Sequence, residues 1–377
     1  MKLKLLIFLY NIAMKIKIIG KKEERQTPHP HLAIQPSVKI IAWRDGGHGD
    51  VFFAYATLKA IKRKFPNSSI RFLFPHGNFE ILRNHNICQS VEHMSYQQIY
   101  QIMHSWNDHC DVFFNLRPRT FSLYDKDKFI GTNLEEHIKI STQRQLDAFG
   151  NDFLIRPIQS AEERIYGRGQ IPACKVYSHL HNLDVNFQDS SELITKHHDY
   201  KNFIVPDFKY ITIHQHAYTG GTGWNTKFWT SEHWQELAKM LKQEFGVPVV
   251  QIGAGNETFL GGNDIDNWLG KSSFFGNCKL IQNSLIHIDI EGSLVHSAVL
   301  LGSKCVALRG ASMLYWTHPD ATNIRYVSAA PSCCELMPCE VQKRDWWLHC
   351  HQQHHNCMNQ LLPEQVFEAV RQMTQNL

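Results

Sequence analysis

The chain has little of what marks a membrane, secreted or nucleic-acid-binding protein. Residues 2–22 are basic and apolar, yet their longest uncharged run, 5–14, has ten residues and is too short to cross a bilayer. No small-x-small cleavage site follows, so a secretory signal is not expected. Without one, the ten cysteines do not read as a disulfide framework. There is no long run of Lys or Arg. The 39 Lys and Arg against 35 Asp and Glu leave a formal charge of +4, small for 377 residues. That argues against a dedicated nucleic-acid binder and permits attraction to small anions or lipid head groups. A Walker A loop is missing, and so is a clean Gly-x-Gly-x-x-Gly fingerprint with its downstream acid. No segment repeats at a fixed period. A cytoplasmic protein is expected, at most peripheral at the inner membrane. Residues 1–36 read as an N-terminal extension, either a weak surface anchor or sequence upstream of a start at Met14.

What is present is the grammar of a globular α/β protein. Hydrophobic residues make up 43% and charged residues 20% of the chain, which supplies cores for two or three domains. Residues 38–43 read as a strand. A helix follows, with Val51, Ala54, Leu58, Ile61 and Phe65 at helical spacing. Residues 70–74 and 111–116 are further strands, and 134–149 a helix stopped by Gly150. Residues 158–206 are polar and poorly periodic, and the domain junction is placed there. The second half starts with a strand at 210–214 and a Gly- and Thr-rich loop to Lys227. A helix capped by Thr230 or Ser231 comes next, with Trp234, Leu237, Ala238, Leu241 and Phe245 on one face and Gly246 as its stop. Strands follow at 248–252, 285–288 and 305–308, and Pro363 starts a final helix. The pattern predicts two doubly wound α/β domains facing across a cleft. Their expected bounds are 37–195 and 196–345, with a Cys/His-rich segment and helix over 346–377.

Polar groups gather at four of these strand ends, which points to a ligand with a diphosphate and sugars. Gly46-Gly47-His48-Gly49-Asp50 joins the first strand to its helix. Asp50 there suits either a general base or a helix cap. Lys227, behind a glycine-rich loop, suits a phosphate or plain surface exposure. Glu257, after Gly253-Ala254-Gly255, could accept hydrogen bonds from ribose hydroxyls or complement a helix dipole. Glu291 and His296 flank Gly292-Ser293, whose backbone N–H groups could hold phosphate oxygens. His296 could equally be a core histidine. Separately, Cys334, Cys339, Cys350 and Cys357 provide four thiolates in 24 residues, enough for a tetrahedral zinc or iron, or simply a set of reduced cysteines.

In order and content these pieces resemble the family 9 glycosyltransferases, the heptosyltransferases of bacterial surface polysaccharide synthesis. That family's first turn is Gly-x-Gly-Asp-like, followed by a helix ending in Phe-Pro. Here these are Gly47-His48-Gly49-Asp50 and Phe65-Pro66. Its second domain carries Lys-x-Trp and Gly-Ala-x-x-Glu, here Lys227-Phe228-Trp229 and Gly253-Ala254-Gly255-Asn256-Glu257. An acid turn then leads to Leu-x-His, here Glu291-Gly292-Ser293-Leu294-Val295-His296, and a strand ends in Gly310. The usual acid turn is Asp-Thr-Gly. The Glu-Gly-Ser variant is similar to a side branch that includes autotransporter-modifying heptosyltransferases.

The resemblance covers residues 38–370. It implies a GT-B fold, two Rossmann-like domains with the last helix crossing back to the first. It implies an inverting transferase using a nucleotide-diphosphate sugar, ADP-heptose in particular, and a glycan, lipid-linked or protein acceptor. Asp50 would be the catalytic base, in a turn with Gly47, His48 and Gly49 on the acceptor side. Thr222 and Lys227 would hold the diphosphate, with Gly292 and Ser293 beside them. Glu257 would read the ribose, and Glu291 with His296 the donor sugar. No cofactor is expected for catalysis. The Cys cluster is expected to hold a structural zinc or iron, as the iron-binding tails of some relatives imply. A non-catalytic sugar-nucleotide or metal-binding protein, and an epimerase of the same shape, are the alternatives.

Overall fold

Two parallel-rich sheets carry the chain, each opened by a short apolar strand and closed at its strand ends by polar loops. The computed structural model describes residues 37–117, 120–150, 171–215, 226–310, 312, 316–329, 350 and 356–375. The expectations for residues 1–36, Thr222, Cys334 and Cys339 lie outside them. Both sheets belong to one compact unit. Among the described residues, no helix is long and apolar enough to cross a membrane.

The first sheet has the order β3-β2-β1-β4-β5, with β1 Val38–Trp43, β2 Ser68–Phe74, β3 Ser90–His93, β4 Val112–Asn115 and β5 Phe121–Tyr124. All neighbours run parallel except β4 and β5. The second sheet is wholly parallel: β11-β10-β9-β6-β7-β8. Its strands are β6 Ile211–His214, β7 Val249–Gln251, β8 Ile265–Asn267, β9 His287–Ile290, β10 Cys305–Leu308 and β11 Ile324–Val327. Counted from its own first strand, that order is 3-2-1-4-5-6, the doubly wound dinucleotide-binding order. Ligands bind such sheets where the strand order reverses. The reversal falls between β1 and β4 in the first sheet and between β6 and β9 in the second. The expectation of two Rossmann-like lobes is met.

Helix α1, His48–Lys64, carries Asp50 in its first turn and Lys62, Arg63 and Lys64 in its last, complementing the helix dipole at both ends. Its apolar surface is wider than one stripe. Phe52, Phe53 and Tyr55 are buried as well as Val51, Ala54, Leu58 and Ile61, because the N-terminal turns are enclosed by both lobes. The remaining helices in chain order are α2 Tyr96–His104, α3 Glu135–Phe149, α4 Ala173–His181, α5 Ser191–Thr195, α6 His198–Asn202, α7 Ser231–Phe245, α8 Phe274–Asn283, α9 Ser293–Leu300, α10 Asn356–Asn359 and α11 Pro363–Thr374. Thr230 caps α7 by accepting the His233 N–H, and Gly246 ends it in the left-handed region.

Two expectations are corrected. The stretch read as poorly periodic contains α4, α5 and α6. These helices are short and take their order from packing, α4 on α1 and α3, α5 on α9, and α6 on α8, rather than from periodicity. The last helix does not cross back to the first lobe. Val366, Ala369 and Val370 of α11 join Trp234, Leu237, Ala238 and Leu241 of α7 in the core on one face of the second sheet. The large apolar surface of α7 is the partner that an amphipathic α11 buries most completely.

Candidate functional site

Arg44 follows β1 directly and is fully buried. Its Nη1 donates to the Leu116 carbonyl and, at 2.5 Å, to the Tyr177 hydroxyl. Its Nη2 donates to Asp50 Oδ1 at 2.5 Å. The other Asp50 oxygen accepts the Gly47 N–H at 2.9 Å. Asp50 is therefore both the helix cap and one half of an ion pair, with 29% of its side chain still exposed. Gly46, at φ +124°, makes this possible: a Cβ there would lie 2.1 Å from Asp50 Oδ2. Arginine stays charged at any working pH, so the carboxylate beside it always faces a cation.

The first turn of α1 meets the second lobe. A Cβ on Gly49 would lie 2.8 Å from His296 Cδ2, so glycine is what lets α1 approach α9. His48 stacks on Phe274 at the start of α8, with ring centroids 3.8 Å apart, and so bridges the lobes. Phe53 packs edge-on against His296 and Trp316. The Arg44 guanidinium lies over the Trp316 ring.

On the second lobe, Glu291 directly follows β9 and is 6% exposed. Its Oε2 accepts from Lys227 Nζ at 2.6 Å and from the Ser312 hydroxyl at 2.8 Å. Burial opposes its ionisation, but Lys227, His296 and the Ser312 hydrogen bond hold the carboxyl below its ordinary value. His296 is buried one turn into α9, with Nδ1 2.8 Å from His318 Nε2. Burial lowers its pKa despite the Glu291 and Asp50 charges nearby. Burial, and then His296, bring His318 down to about 2. Burial thus disfavours the charged form of both rings. Gly292 and Ser293 open α9, whose first backbone N–H groups are available to an anion.

A second group lies at the same sheet's strand ends. Glu257 Oε1 accepts the Ala254 N–H at 2.9 Å, while Oε2 is 3.2 Å from His214 Nε2. The other nitrogen of His214 is 2.8 Å from Asp289 Oδ1. Burial works against the charged ring, yet the two carboxylates raise its pKa to about 10.

The structure thus brings Gly49, Asp50 and His296 together across the lobes. It joins Lys227 to Glu291 and sets Glu257 in a turn of its own. Of the thiols, Cys357 is buried and Cys350 half-buried. The sequence reading did not single out Arg44, His214, Asp289 or His318. Arg44 had a signal, a charge directly behind an apolar strand. Asp289 had another, a carboxylate inside a four-residue strand that is buried throughout. A cavity of about 770 Å³ lined by Tyr55, Lys59, Lys62, Arg63 and Glu192 is separate from these groups. By helical angle those α1 residues face away from Asp50.

No protein-family model matches the chain, and no curated protein matches it. Solved structures do. A family 9 glycosyl transferase from Veillonella parvula superposes with a TM-score of 0.54 at 12% identity, covering 92% of this chain and 100% of that one. TibC, an iron-containing dodecameric glycosyltransferase from enterotoxigenic E. coli, gives 0.53 at 12% identity, with 91% and 78% covered. The dodecameric iron-containing heptosyltransferase TibC in complex with ADP-D-β-D-heptose gives 0.54 at 12%, with 94% and 81% covered. At such identities the likeness is one of architecture, and the chain has the two-lobed GT-B fold of these glycosyltransferases.

Proposed function

We propose that the protein is an inverting glycosyltransferase that moves a sugar, heptose, from ADP-heptose to a glycan, lipid-linked or protein acceptor. The observation that carries this reading is Asp50. Its carboxylate sits at the sheet's reversal point, is fixed by Arg44 and the Gly47 N–H, and keeps an exposed edge beside the α9 turn of the other lobe. Asp50 accepts the proton of an acceptor hydroxyl, and that oxygen attacks the anomeric carbon from the face opposite the diphosphate. Charge builds on the leaving diphosphate. Lys227, Thr222 and the N–H groups of Gly292 and Ser293 stabilise it. Glu257 accepts hydrogen bonds from the ribose. Glu291 and His296 line the sugar end, where the Lys227–Glu291 pair ties the two functions together. The ADP-heptose bound by TibC, which shares the fold, supports the choice of donor.

The test is a screen of purified nucleotide sugars for protein-dependent release of nucleoside diphosphate. ADP-heptose is expected to stand out, with Asp50→Asn lowering release by about 10²-fold or more but leaving binding in place. Absence of both binding and release across the panel would overturn the reading.

Cys334, Cys339, Cys350 and Cys357 are proposed to hold one structural zinc or iron away from the chemistry. Four cysteines this close in sequence could lose their protons to one such cation and be ordered by it. Elemental analysis of protein purified without added metal should give close to one ion per chain. Four freely titrating thiols would rule the site out and leave the transferase reading untouched.

A further inference from the structure

We propose that His214 is a positioning residue for nucleotide recognition: held between β6 and β9, it aims the Glu257 carboxylate at the ribose of the donor. The proposal rests on the assignment of Glu257 to the ribose made above.

The register of the second sheet builds the arrangement. Thr212 lies opposite His287, and His214 opposite Asp289, on adjacent parallel strands. The alternate residues Ile211, Ile213, Ile288 and Ile290 point to the α7–α11 core. One face of the β6–β9 pair is therefore apolar and the other a ladder of four polar side chains. Within it, His287 Nδ1 is 3.0 Å from Thr212 Oγ1, and His287 Nε2 is 3.4 Å from Asp289 Oδ2. Asp289, with the His287 ring packed close to its other oxygen, offers Oδ1 to His214 Nδ1. The ring is thereby fixed in plane and direction, with Nε2 left to meet Glu257 at 3.2 Å. Asp289 and Glu257 are both acceptors when ionised, so a ring between them is best satisfied carrying both N–H groups, as a cation.

The position in the fold supports a role beyond stability. β6 and β9 are the two strands that flank the reversal point, where a doubly wound sheet binds its ligand. The ladder itself is buried, and only the carboxylate it leads to reaches outward: the Glu257 side chain is 13% exposed. Gly253, at φ +151°, clears the way, since a Cβ there would lie 2.3 Å from Glu257 Oε2. A buried ionic ladder is a poor way to gain stability, because apolar residues of the same volume usually do as well. It is a good way to fix the direction of one carboxylate, because each charge-assisted bond constrains the next.

The experiment compares ADP with 2′,3′-dideoxy-ADP by calorimetry on the full chain. Wild type should prefer ADP by about 10-fold or more, the scale of one charge-assisted hydrogen bond. Glu257→Gln should reduce the preference to near unity. His214→Asn keeps an N–H directed at Asp289 but cannot reach Glu257. It should also lose the preference while holding dideoxy-ADP within about 2-fold of wild type, which shows that the lobe is folded. His214→Gln, whose amide nitrogen stands near the Nε2 position, should recover part of the preference. A His214→Asn variant with wild-type preference overturns the proposal. So does one that loses both nucleotides alike, which marks a general structural role. If Glu257→Gln itself keeps the preference, the ribose assignment fails first and takes the proposal with it.

Discussion

The two lobes answer the same problem at two turns, Gly46 to Asp50 and Gly253 to Glu257, and they answer it with different cations. In each, a glycine at positive φ is followed four residues later by an acid that folds back over it. Each acid accepts the backbone N–H three residues before it, from Gly47 or Ala254. Each is then met by a buried cation at a strand end. For Asp50 this is Arg44, from the strand that leads into the turn, and the acid keeps 29% of its side chain exposed at the contact between lobes. For Glu257 it is His214, from the neighbouring strand, inside one lobe. The arginine is a cation without help. The histidine is one only because Asp289 and Glu257 together outweigh its burial. One local device thus yields a carboxylate with a permanent partner at the lobe junction, and another whose partner depends on a network within the sheet.

The sharpest way to separate the two turns is Asp50→Asn. It should leave ADP affinity unchanged and lower turnover by about 10²-fold or more. Near-normal turnover would reduce Asp50 to a cap and make the turns equivalent. Lys227→Ala tests the donor side of the same divide. It should weaken ADP by roughly 1.5–3 kcal/mol, the value of a charge-assisted bond, and unchanged affinity in calorimetry would remove Lys227 from the diphosphate.

The glycines allow a matched pair of smaller perturbations. Alanine at either site meets strain of about 1–3 kcal/mol from the backbone conformation, together with a clash against its own acid. Gly46→Ala should lower turnover with little change in ADP binding, and Gly253→Ala should weaken ADP binding first. The same kinetic signature from both would erase the distinction drawn between them.

The smallest effect is on pH. The folded pKa of His214, about 10, lies above the ordinary imidazole value of 6.5. Its stabilisation is therefore complete below about pH 6.5 and is lost as pH rises through about 10. The unfolding free energy from urea titration should drift down over that interval as the ring loses its proton. His214→Asn should flatten the drift. Arg44–Asp50 should contribute none of it, because arginine does not titrate there. A drift unchanged in His214→Asn would assign it elsewhere.

Much of the architecture was legible along the chain. The strand over 38–43 and the helix after it, the strand at 305–308, the Thr230 cap with its Gly246 stop, and the start at Pro363 all stand where period and capping chemistry place them. These are local properties, set by which side chain follows which. The strand read at 285–288 lies two residues later, at His287–Ile290. Leu285-Ile286 looks equally strand-like, and only pairing with β6 and β10 selects the register. The helices between 173 and 202 were hidden for a related reason: short helices gain order mainly from what they pack against.

The site divides along the same line. By itself the sequence determined the acids and the glycines that let them turn. Gly46 with Asp50, and Gly253 with Glu257, are separated by four residues, and their geometry closes within one loop. It also determined that a histidine, His296, would lie one helical turn beyond the Glu291-Gly292-Ser293 turn. Only the tertiary structure decided the partners. Arg44 reaches Asp50 over six residues, but its burial depends on Tyr177, 133 residues away. His214 finds Asp289 over 75 residues, through the pairing of β6 with β9. Lys227 reaches Glu291 over 64. A charge becomes a buried cation, or a carboxylate an aimed one, only when the sheet brings its counter-charge to it and water is excluded. Neither condition is written at any single position in the chain.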